Sequence, residues 1–174
     1  MRKLKNSELR RISVENFKSS IKTPIVVILD NIRSAINVGS VFRTADAFRL
    51  EKVYLCGITS TPPHKDIRKS ALGATETVDW EYYEDIKNII LHLRSQGYMI
   101  CSVEQVDGSI MLHKFSKLEK PIAVIFGNEV HGVNQSTIDE SDYCIEIPQI
   151  GTKHSLIVSV RVGIVLWDLY KKII

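Results

Sequence analysis

The chain has 174 residues, of which 44% are hydrophobic and 25% are charged, with only 9 Gly and 5 Pro. This composition excludes disordered, collagen-like and low-complexity chains, and the length suits one compact domain. The formal net charge is only +3 and no apolar stretch is long enough to span a membrane, so we expect a soluble, cytoplasmic protein with no membrane contact.

Positive charge is concentrated at the start of the chain. Residues 1–22 contain seven Lys or Arg and two Glu, whereas the remainder is slightly acidic. Because Lys and Arg bind polyanions by releasing counterions, we predict a basic N-terminal arm over 1–23 that contacts RNA, followed by a domain over 24–174. A solvated helix face explains the same charges and stays open as an alternative.

Strand-like and helix-like segments alternate from Pro24 onward. The pattern predicts strands over residues 25–29, 53–55, 98–103, 122–126 and 143–147, and helices over 38–48, 85–96 and 155–170. A second basic cluster, residues 64–69, follows Pro62 and Pro63 and is predicted to lie on a loop. The alternation predicts an α/β fold with a mostly parallel sheet flanked by helices on both faces.

Several site classes are excluded by spacing. Cys56, Cys101 and Cys144 are odd in number and lie in or beside apolar strands, which indicates buried free thiols and not a disulfide framework. The five His are scattered without metal-ligand spacing, so we expect no metal. The dinucleotide, phosphate-loop and nucleophile-elbow signatures are absent from the sequence.

Polar, Gly-containing loops follow three of the predicted strands. They cover residues 30–45, 127–133 and 148–155. Ligands of open parallel sheets bind beyond the carboxyl ends of the strands, where backbone N–H groups at helix starts are also free. These loops therefore carry the candidate site.

The three loops contain distinctive patterns. These are N-x-G-x-x-x-R-T-A at 37–45, F-G-N-E-x-x-G at 126–132, and I-P-x-x-G-x-x-x-S-L-x-V-S-V at 147–160. In this order and spacing they resemble the three motifs of the SpoU, or TrmH-like, RNA 2′-O-ribose methyltransferases of the SPOUT superfamily, over residues 24–170. The resemblance implies a SPOUT-type fold with a C-terminal trefoil knot, an S-adenosyl-L-methionine (SAM) site formed by the knot loops, and a homodimer.

The resemblance also implies roles for single residues. Arg43 matches the arginine proposed to act on the ribose 2′-hydroxyl, and Asn37 matches the asparagine that supports it. Because a guanidinium stays protonated, we expect Arg43 to hold a phosphate and stabilise the developing alkoxide. Glu129 would hold Arg43 or a neighbouring donor, and Ser155 completes the predicted catalytic set. The predicted cofactor-binding residues are Val103, Gly127, Glu129, Gly132, Ile147, Gln149, Gly151, Ser155 and Leu156.

Simpler structural explanations exist for three of these side chains. Glu129 could cap the helix that follows it, Asn37 could be a turn residue, and Ser155 could be the N-cap of the final helix. An N-cap and a cofactor contact are compatible for Ser155. Ser155, Ser159 and Gly163 also form a small-residue stripe that permits close approach of another backbone.

Two positions depart from the family pattern. Ile157 stands where the family commonly has Asn, which removes hydrogen-bonding groups from a polar pocket. Arg161 stands where the family usually has a small residue, and a buried guanidinium needs a partner or a route to water.

The sequence therefore predicts a SAM-dependent RNA 2′-O-ribose methyltransferase that acts on tRNA or rRNA. We favour tRNA because the chain has no room for a separate RNA-binding domain. The departure at Ile157 leaves open a non-catalytic RNA-binding protein of the same family. An unrelated nucleotide-binding α/β enzyme, such as a hydrolase, is the remaining alternative.

Overall fold

The computed structural model describes residues 1–116 and 119–174. Its strands are β1 (Thr23–Asp30), β2 (Leu50–Cys56), β3 (Asp79–Tyr83), β4 (Met99–Val103), β5 (Ile110–Met111), β6 (Ile122–Phe126) and β7 (Tyr143–Glu146). Its helices are α1 (Val14–Ser19), α2 (Ala35–Ala47), α3 (Lys65–Ala71), α4 (Ala74–Thr77), α5 (Ile86–Ser95), α6 (Gln135–Asp139) and α7 (Val158–Lys171). Short 3₁₀ turns lie at Asn6–Glu8 and Leu112–Lys114.

All of these strands belong to one sheet, in the order β3-β2-β1-β6-β4-β7-β5. Every pairing between neighbours is parallel. The strands in the middle of this order, β1 and β6, pair residue by residue from Ile25 opposite Ile122 to Leu29 opposite Phe126. The α/β class and the five predicted strands are confirmed, and the sheet is parallel throughout the described residues.

Both faces of the sheet are covered by helices. Ile25, Val27 and Leu29 of β1 join a core cluster with buried residues of α2, α3 and α7. The alternate residues Val26 and Ile28 join a second cluster, which contains the apolar face of α5. Because successive strand residues point to opposite faces, a strand that is covered on both sides is apolar at every position. This explains the uninterrupted apolar run of β1.

The basic cluster at residues 64–69 was predicted as a loop, and this prediction is wrong. His64 is the N-cap of α3, where its Nδ1 accepts a hydrogen bond of 3.2 Å from the N–H of Asp66. Ile67 and Ala71, four residues apart, are buried on the inner face of the helix. The two prolines precede the helix, where they interrupt no helical hydrogen bond.

The final helix begins later than predicted. Ile157 occupies the N-cap position of α7 and no side chain caps this helix. Ser155 is therefore outside the helix, and the prediction that it is the N-cap is wrong. Only Ser159 and Gly163 of the small-residue stripe lie within α7.

The N-terminal residues are attached to the domain through α1. Phe17 is only 4% exposed and belongs to the same core cluster as α2 and α7. Lys18 forms an ion pair of 2.5 Å with Asp79 at the start of β3. The segment preceding β1 therefore contains both an exposed basic stretch and one core side chain.

The three cysteines differ in burial. Cys56 and Cys101 are buried free thiols as predicted, whereas Cys144 is half-buried. Burial raises the pKa of the Cys56 thiol to about 12, so it remains protonated near neutral pH.

Across residues 1–116 and 119–174, no helix has the length and apolarity needed to cross a membrane. The same ranges contain no cluster of three His, Cys, Asp or Glu suited to a metal ion.

Helices α2 and α3 pack so closely that Gly39 has no room for a side chain. A Cβ atom at Gly39 would lie 2.1 Å from Oγ of Ser70 and 2.5 Å from the backbone oxygen of Ile67. We expect Gly39→Ala to lower the free energy of unfolding by about 1–3 kcal/mol because one of the clashing atoms is backbone. Urea unfolding of the purified protein measures this effect. Ser40→Ala is the matched control, since it alters the next residue of α2 without adding atoms. Equal stability of the two variants would contradict the close packing.

Candidate active site

Four loops meet at the carboxyl edge of the sheet. They follow β1, β6, β4 and β7, which are consecutive neighbours in the sheet. Parallel strands end at the same edge, so residues far apart in the sequence are brought together there. The three loops that carry the sequence motifs are among them, and the loop after β4 is the fourth.

The carboxylate of Glu129 binds the N-terminus of α2. Its oxygens accept hydrogen bonds from the backbone N–H of Arg33 at 2.9 Å and of Ser34 at 3.2 Å. A longer contact of 3.5 Å comes from Nδ2 of Asn37. A negative charge at a helix start is also favoured by the helix dipole. Burial alone would raise the pKa of Glu129, but these donors outweigh it and hold that pKa below its ordinary value.

These contacts correct one expectation for Glu129 and decide between the alternatives of another. The helix that it caps is α2, and not the helix that follows it in the chain. Its side-chain partner is Asn37, the neighbouring donor, and not Arg43. Arg43 is exposed on α2, and its side chain forms no hydrogen bond or ion pair with any residue in the two described ranges.

Asn37 connects all three motif segments. Besides its contact with Glu129, its Oδ1 accepts a hydrogen bond of 3.1 Å from Oγ of Ser159 on α7. Its backbone N–H donates to Oγ of Ser34, the N-cap of α2, at 3.3 Å. Asn37 therefore lies inside a helix, and the explanation as a turn residue is wrong.

The loop after β6 is folded tightly on itself. A Cβ atom at Gly127 would lie 2.3 Å from the backbone of Gly132, and one at Gly132 would lie 2.3 Å from Oε2 of Glu104. Gly132 also has a φ of +68°, which favours glycine. Oδ1 of Asn128 accepts from the N–H groups of Val130 and His131 at 2.9 and 3.1 Å. Both glycines are thus required by close contacts within the protein.

Glu104 is a site residue that the sequence reasoning missed. It follows β4 directly, and its carboxylate accepts hydrogen bonds of 3.0 Å from the backbone N–H groups of Val133 and Gln105. It thereby joins the loop after β4 to the end of the loop after β6. The signal that could have found it is its position, because it is the first polar residue beyond a predicted strand.

A cavity of about 50 Å³ lies between the ends of β4 and β7 and the start of α7. It is lined by Val103, Glu104, Gln105, Ile145, Glu146, Ile147, Gln149, His154, Ser155 and Arg161. Val103, Ile147, Gln149 and Ser155 are thus the predicted cofactor-binding residues that line it.

The other predicted cofactor residues lie outside this lining. Gly127, Glu129 and Gly132 belong to the neighbouring loop after β6. Leu156 is half-buried and packs against the core cluster of α7. Gly151 is exposed, with open space where its Cβ would stand.

A larger cavity of about 710 Å³ lies at the opposite edge, near the amino ends of β4 and β7. It contains none of the motif residues. Because ligands of parallel sheets bind at the carboxyl edge, the smaller cavity is the better candidate despite its size.

Arg161 on α7 projects into the lining of the small cavity and is only 8% exposed. Its Nε atom has no hydrogen-bond partner in the described part of the chain. Burial lowers the pKa of the Arg161 guanidinium, and the negative charges of Glu104 and Glu129 partly oppose this shift. The sequence marked this residue as one that needs a partner, and the structure places it in the cavity without one.

A family profile and several relatives indicate the family of this chain. The sequence profile of the SpoU rRNA Methylase family matches residues 24–167. The 23S rRNA (guanosine-2′-O-)-methyltransferase RlmB of Neisseria meningitidis serogroup B is 32% identical over 143 residues, which are 82% of this chain and 56% of that protein. An uncharacterized tRNA/rRNA methyltransferase of Borreliella burgdorferi is 28% identical over 179 residues, covering 99% of this chain and 76% of that protein.

Two crystal structures share the fold. An AdoMet-bound rRNA methyltransferase from Sinorhizobium meliloti superimposes with a TM-score of 0.82 at 24% identity, covering 88% of this chain and 58% of that chain. The A. aeolicus TrmH/SpoU tRNA modifying enzyme superimposes with a TM-score of 0.80 at 24% identity, covering 91% of this chain and 79% of that chain. A Staphylococcus haemolyticus relative is likewise covered over only 58% of its length, so the chain spans little more than half of several relatives.

The hydrogen bonds of Glu129 predict a pH-dependent contribution to stability. Glu129→Gln should lower the free energy of unfolding at about pH 7 by about 1–2 kcal/mol, since a charged acceptor is removed. The pKa of Glu129 is lower in the folded protein than its ordinary 4.5. Its stabilisation is therefore complete above the unfolded-state pKa and disappears as the pH falls through the folded-state pKa. Urea unfolding across this range should show the two proteins converging in acid.

The control for this experiment is Glu76→Gln. Glu76 is exposed on α4, and its carboxylate has no hydrogen-bond partner within residues 1–116 and 119–174. Its removal should leave stability nearly unchanged at both ends of the pH range. A difference between wild type and Glu129→Gln that persists undiminished in acid would contradict the assigned contacts.

Proposed function

We propose that this chain, which belongs to the SpoU rRNA Methylase family, is a SAM-dependent RNA 2′-O-ribose methyltransferase that acts on tRNA or rRNA. The observation that carries the proposal is the hydrogen-bonded series Glu129, Asn37 and Ser159, which joins one residue from each of the three motifs. Similarity of the three motifs to those of the family would not by itself require these residues to contact one another in the folded protein.

The reaction class and the RNA class are supported by relatives. The RlmB relative is named as a guanosine-2′-O-methyltransferase, which supports the ribose 2′-hydroxyl as acceptor. We propose tRNA as the favoured substrate. The A. aeolicus tRNA modifying enzyme is matched over 79% of its length, whereas the S. meliloti rRNA enzyme is matched over 58%.

The residues of the small cavity suit SAM. Val103 and Ile147 offer apolar surface to an adenine ring, and Gln149 and Ser155 offer polar groups beside it. The orphaned Nε of Arg161 supports a ligand that carries a hydrogen-bond acceptor. When bound, SAM supplies an activated methyl group.

The cavity must enlarge to admit a whole cofactor. Sites for ligands of this size measure about 300 Å³ or more, well above the 50 Å³ seen here. Ile150 and Gly151 are fully exposed and make no close contacts with the body of the domain. We infer that the segment 148–155 moves outward as the cofactor enters.

Methyl transfer from a sulfonium requires alignment of the attacking oxygen and removal of its proton. Arg43 is available for RNA because its guanidinium is exposed and unpaired within the described residues. Its planar fork can hold a phosphate and stabilise an alkoxide that develops on the ribose. Glu129 and Asn37 position Arg43 indirectly, since both fix the N-terminus of α2.

We also propose a homodimer and a C-terminal trefoil knot, as the family resemblance implies. The dimer is supported by an exposed apolar stripe at the start of α7 and along it. Its members are Ile157, Val160, Ile164 and Trp167, with exposed fractions between 38% and 64%. The knot is supported by the likeness of the whole fold to SpoU structures.

The non-catalytic alternative rested on the missing amide at Ile157. Ile157 is 64% exposed and is not among the residues that line the cavity. Its side chain therefore removes no polar group from that cavity. No other observation favours a binding-only protein, so we do not propose one.

The function is tested by incubating the protein with labelled SAM and cellular RNA, then digesting the RNA to locate 2′-O-methyl nucleosides. We expect label on ribose in the wild type and a decrease of at least about 100-fold in turnover for Arg43→Ala, the range for removing one preorganised donor. Affinity for SAM should stay near that of wild type. Arg43→Lys should recover only part of the activity, because a point charge cannot replace the planar fork.

Lys87→Ala is the control for removal of a surface charge. Lys87 is exposed on α5, across the sheet from α2, and this variant should keep full activity. Turnover of Arg43→Ala within about threefold of wild type would show that the catalytic arginine is assigned wrongly.

We propose that the basic N-terminal arm binds RNA phosphates. Phe17 is a core residue, so deletion of the whole segment 1–23 would also destabilise the fold. Replacing Lys3, Lys5, Arg10 and Arg11 with Gln removes charge and leaves α1 intact. RNA affinity should fall, and the slope of its salt dependence should flatten by about 0.7–0.9 for each phosphate that is no longer neutralised. Filter binding across a salt series measures both, and an unchanged slope would refute the role of the arm.

A further inference from the structure

Arg161 combines burial with the absence of a partner. The residue is only 8% exposed, and it projects from α7 into the lining of the small cavity. Within residues 1–116 and 119–174, its Nε is the one buried side-chain nitrogen or oxygen that lacks a hydrogen bond. All other buried polar side-chain atoms in those ranges are satisfied by the protein itself.

The negative charges that act on the Arg161 guanidinium already have hydrogen-bond donors of their own. Glu104 and Glu129 attract the guanidinium electrostatically. The oxygens of Glu104 accept from the backbone of Gln105 and Val133, and those of Glu129 accept from the start of α2. Neither carboxylate forms a hydrogen bond or a close ion pair with Arg161. The folded chain thus holds a buried cation that it does not itself neutralise by contact.

Such an arrangement lowers stability. A buried charge without hydrogen bonds is unfavourable, and an aliphatic side chain of similar volume is commonly more stable at such a position. Arg161 lies on the inner side of α7 between Val158 and Val165, which are both buried in the core cluster. Packing alone therefore does not explain a guanidinium here, whereas a bound anion would.

The geometry of the cavity selects the kind of anion. A guanidinium fork matches a carboxylate or a phosphate oxygen pair. The phosphate backbone of an RNA chain cannot easily reach a side chain that is only 8% exposed. The carboxylate of a small ligand can, and the methionine end of SAM carries one carboxylate as its only anionic group.

We propose that Arg161 binds the carboxylate of the methionine moiety of SAM and orients the cofactor in this cavity. This inference rests on the proposed function, because it requires SAM in the cavity lined by Gln149 and Ser155. Arg161 lies one residue beyond the third motif pattern, which ends at Val160, so the motif resemblance does not itself imply this contact. In this proposal, Arg161 contacts the cofactor directly and fixes its position in the cavity.

The contact is tested by comparing SAM with decarboxylated SAM, which keeps the sulfonium, the amine and the adenosine. Isothermal titration of the full chain should show tighter binding of SAM than of decarboxylated SAM by about 10- to 100-fold, the effect of a charge-assisted hydrogen-bonded pair. Arg161→Met should abolish this preference by weakening SAM alone. Arg161→Lys should keep part of it, since an ammonium retains the charge without the fork.

The stability of the ligand-free protein gives a second readout. Arg161→Met should unfold at a temperature equal to or above that of wild type, because the orphaned charge is removed. If Arg161 had a purely structural role, its replacement would instead lower that temperature. Arg68→Met is the matched control: Arg68 is exposed on α3, so its replacement should change neither the ligand preference nor stability.

The remaining outcomes overturn the proposal in distinct ways. Equal weakening of both ligands by Arg161→Met and Arg161→Lys would mean that Arg161 only shapes the cavity. Unchanged SAM affinity together with weaker RNA binding would assign Arg161 to an RNA phosphate. If the wild-type protein bound neither SAM nor decarboxylated SAM, the proposed function itself would be refuted. If the wild-type protein transferred methyl groups but bound the two ligands equally well, only the role of Arg161 would be refuted.

Discussion

The carboxylate of Glu129 is the contact on which the arrangement of the site depends. It closes the start of α2 against the loop after β6, by accepting from the backbone of Arg33 and Ser34. The first motif lies on α2 and the second lies on that loop, so Glu129 connects the two motifs. Asn128 adds a second connection, because its Nδ2 donates to the backbone oxygen of Asn31 at 2.8 Å. Asn37 extends the connection of Glu129 to Ser159 on α7. The three motifs are thus held together by hydrogen bonds within the protein itself.

The parallel sheet explains why the site lies where it does. β1 and β6 are apolar along their length because helices cover both faces, so the middle of the sheet offers no polar group to a ligand. Polar residues begin at the carboxyl ends of the strands, at Asp30 of β1, at Glu104 after β4 and in the loop after Phe126 of β6. The polar groups of the candidate site therefore lie at the carboxyl edge of the sheet. The loop after β6 needs its two glycines there because Gly127, Gly132 and Glu104 are in close contact.

The sequence predicts five of the seven strands because each of these five is a short apolar run between turn residues. It misses β3, whose sequence DWEYY is mixed and largely exposed, and β5, which has only two residues. It predicts the motif loops because their patterns resemble a known family. It fails where tertiary contacts contribute: residues 64–69 look like a charged loop, whereas in the structure they form the start of α3, with Ile67 buried against α2. The partner of Glu129 could not be read from the sequence either, since Arg33 and Ser34 lie more than ninety residues away.

The two arginines to which we assign roles, Arg43 and Arg161, have different surroundings. Arg43 projects from α2 into solvent, where a guanidinium keeps its hydration and its charge costs little stability. Arg161 projects from α7 into a cavity and is only 8% exposed, and its Nε has no hydrogen-bond partner among the residues that the structure describes. A buried cation without a partner favours a small anion that brings its own contacts, because each contact then offsets a penalty already present in the free protein. The exposed arginine therefore suits RNA, and the buried one suits the cofactor.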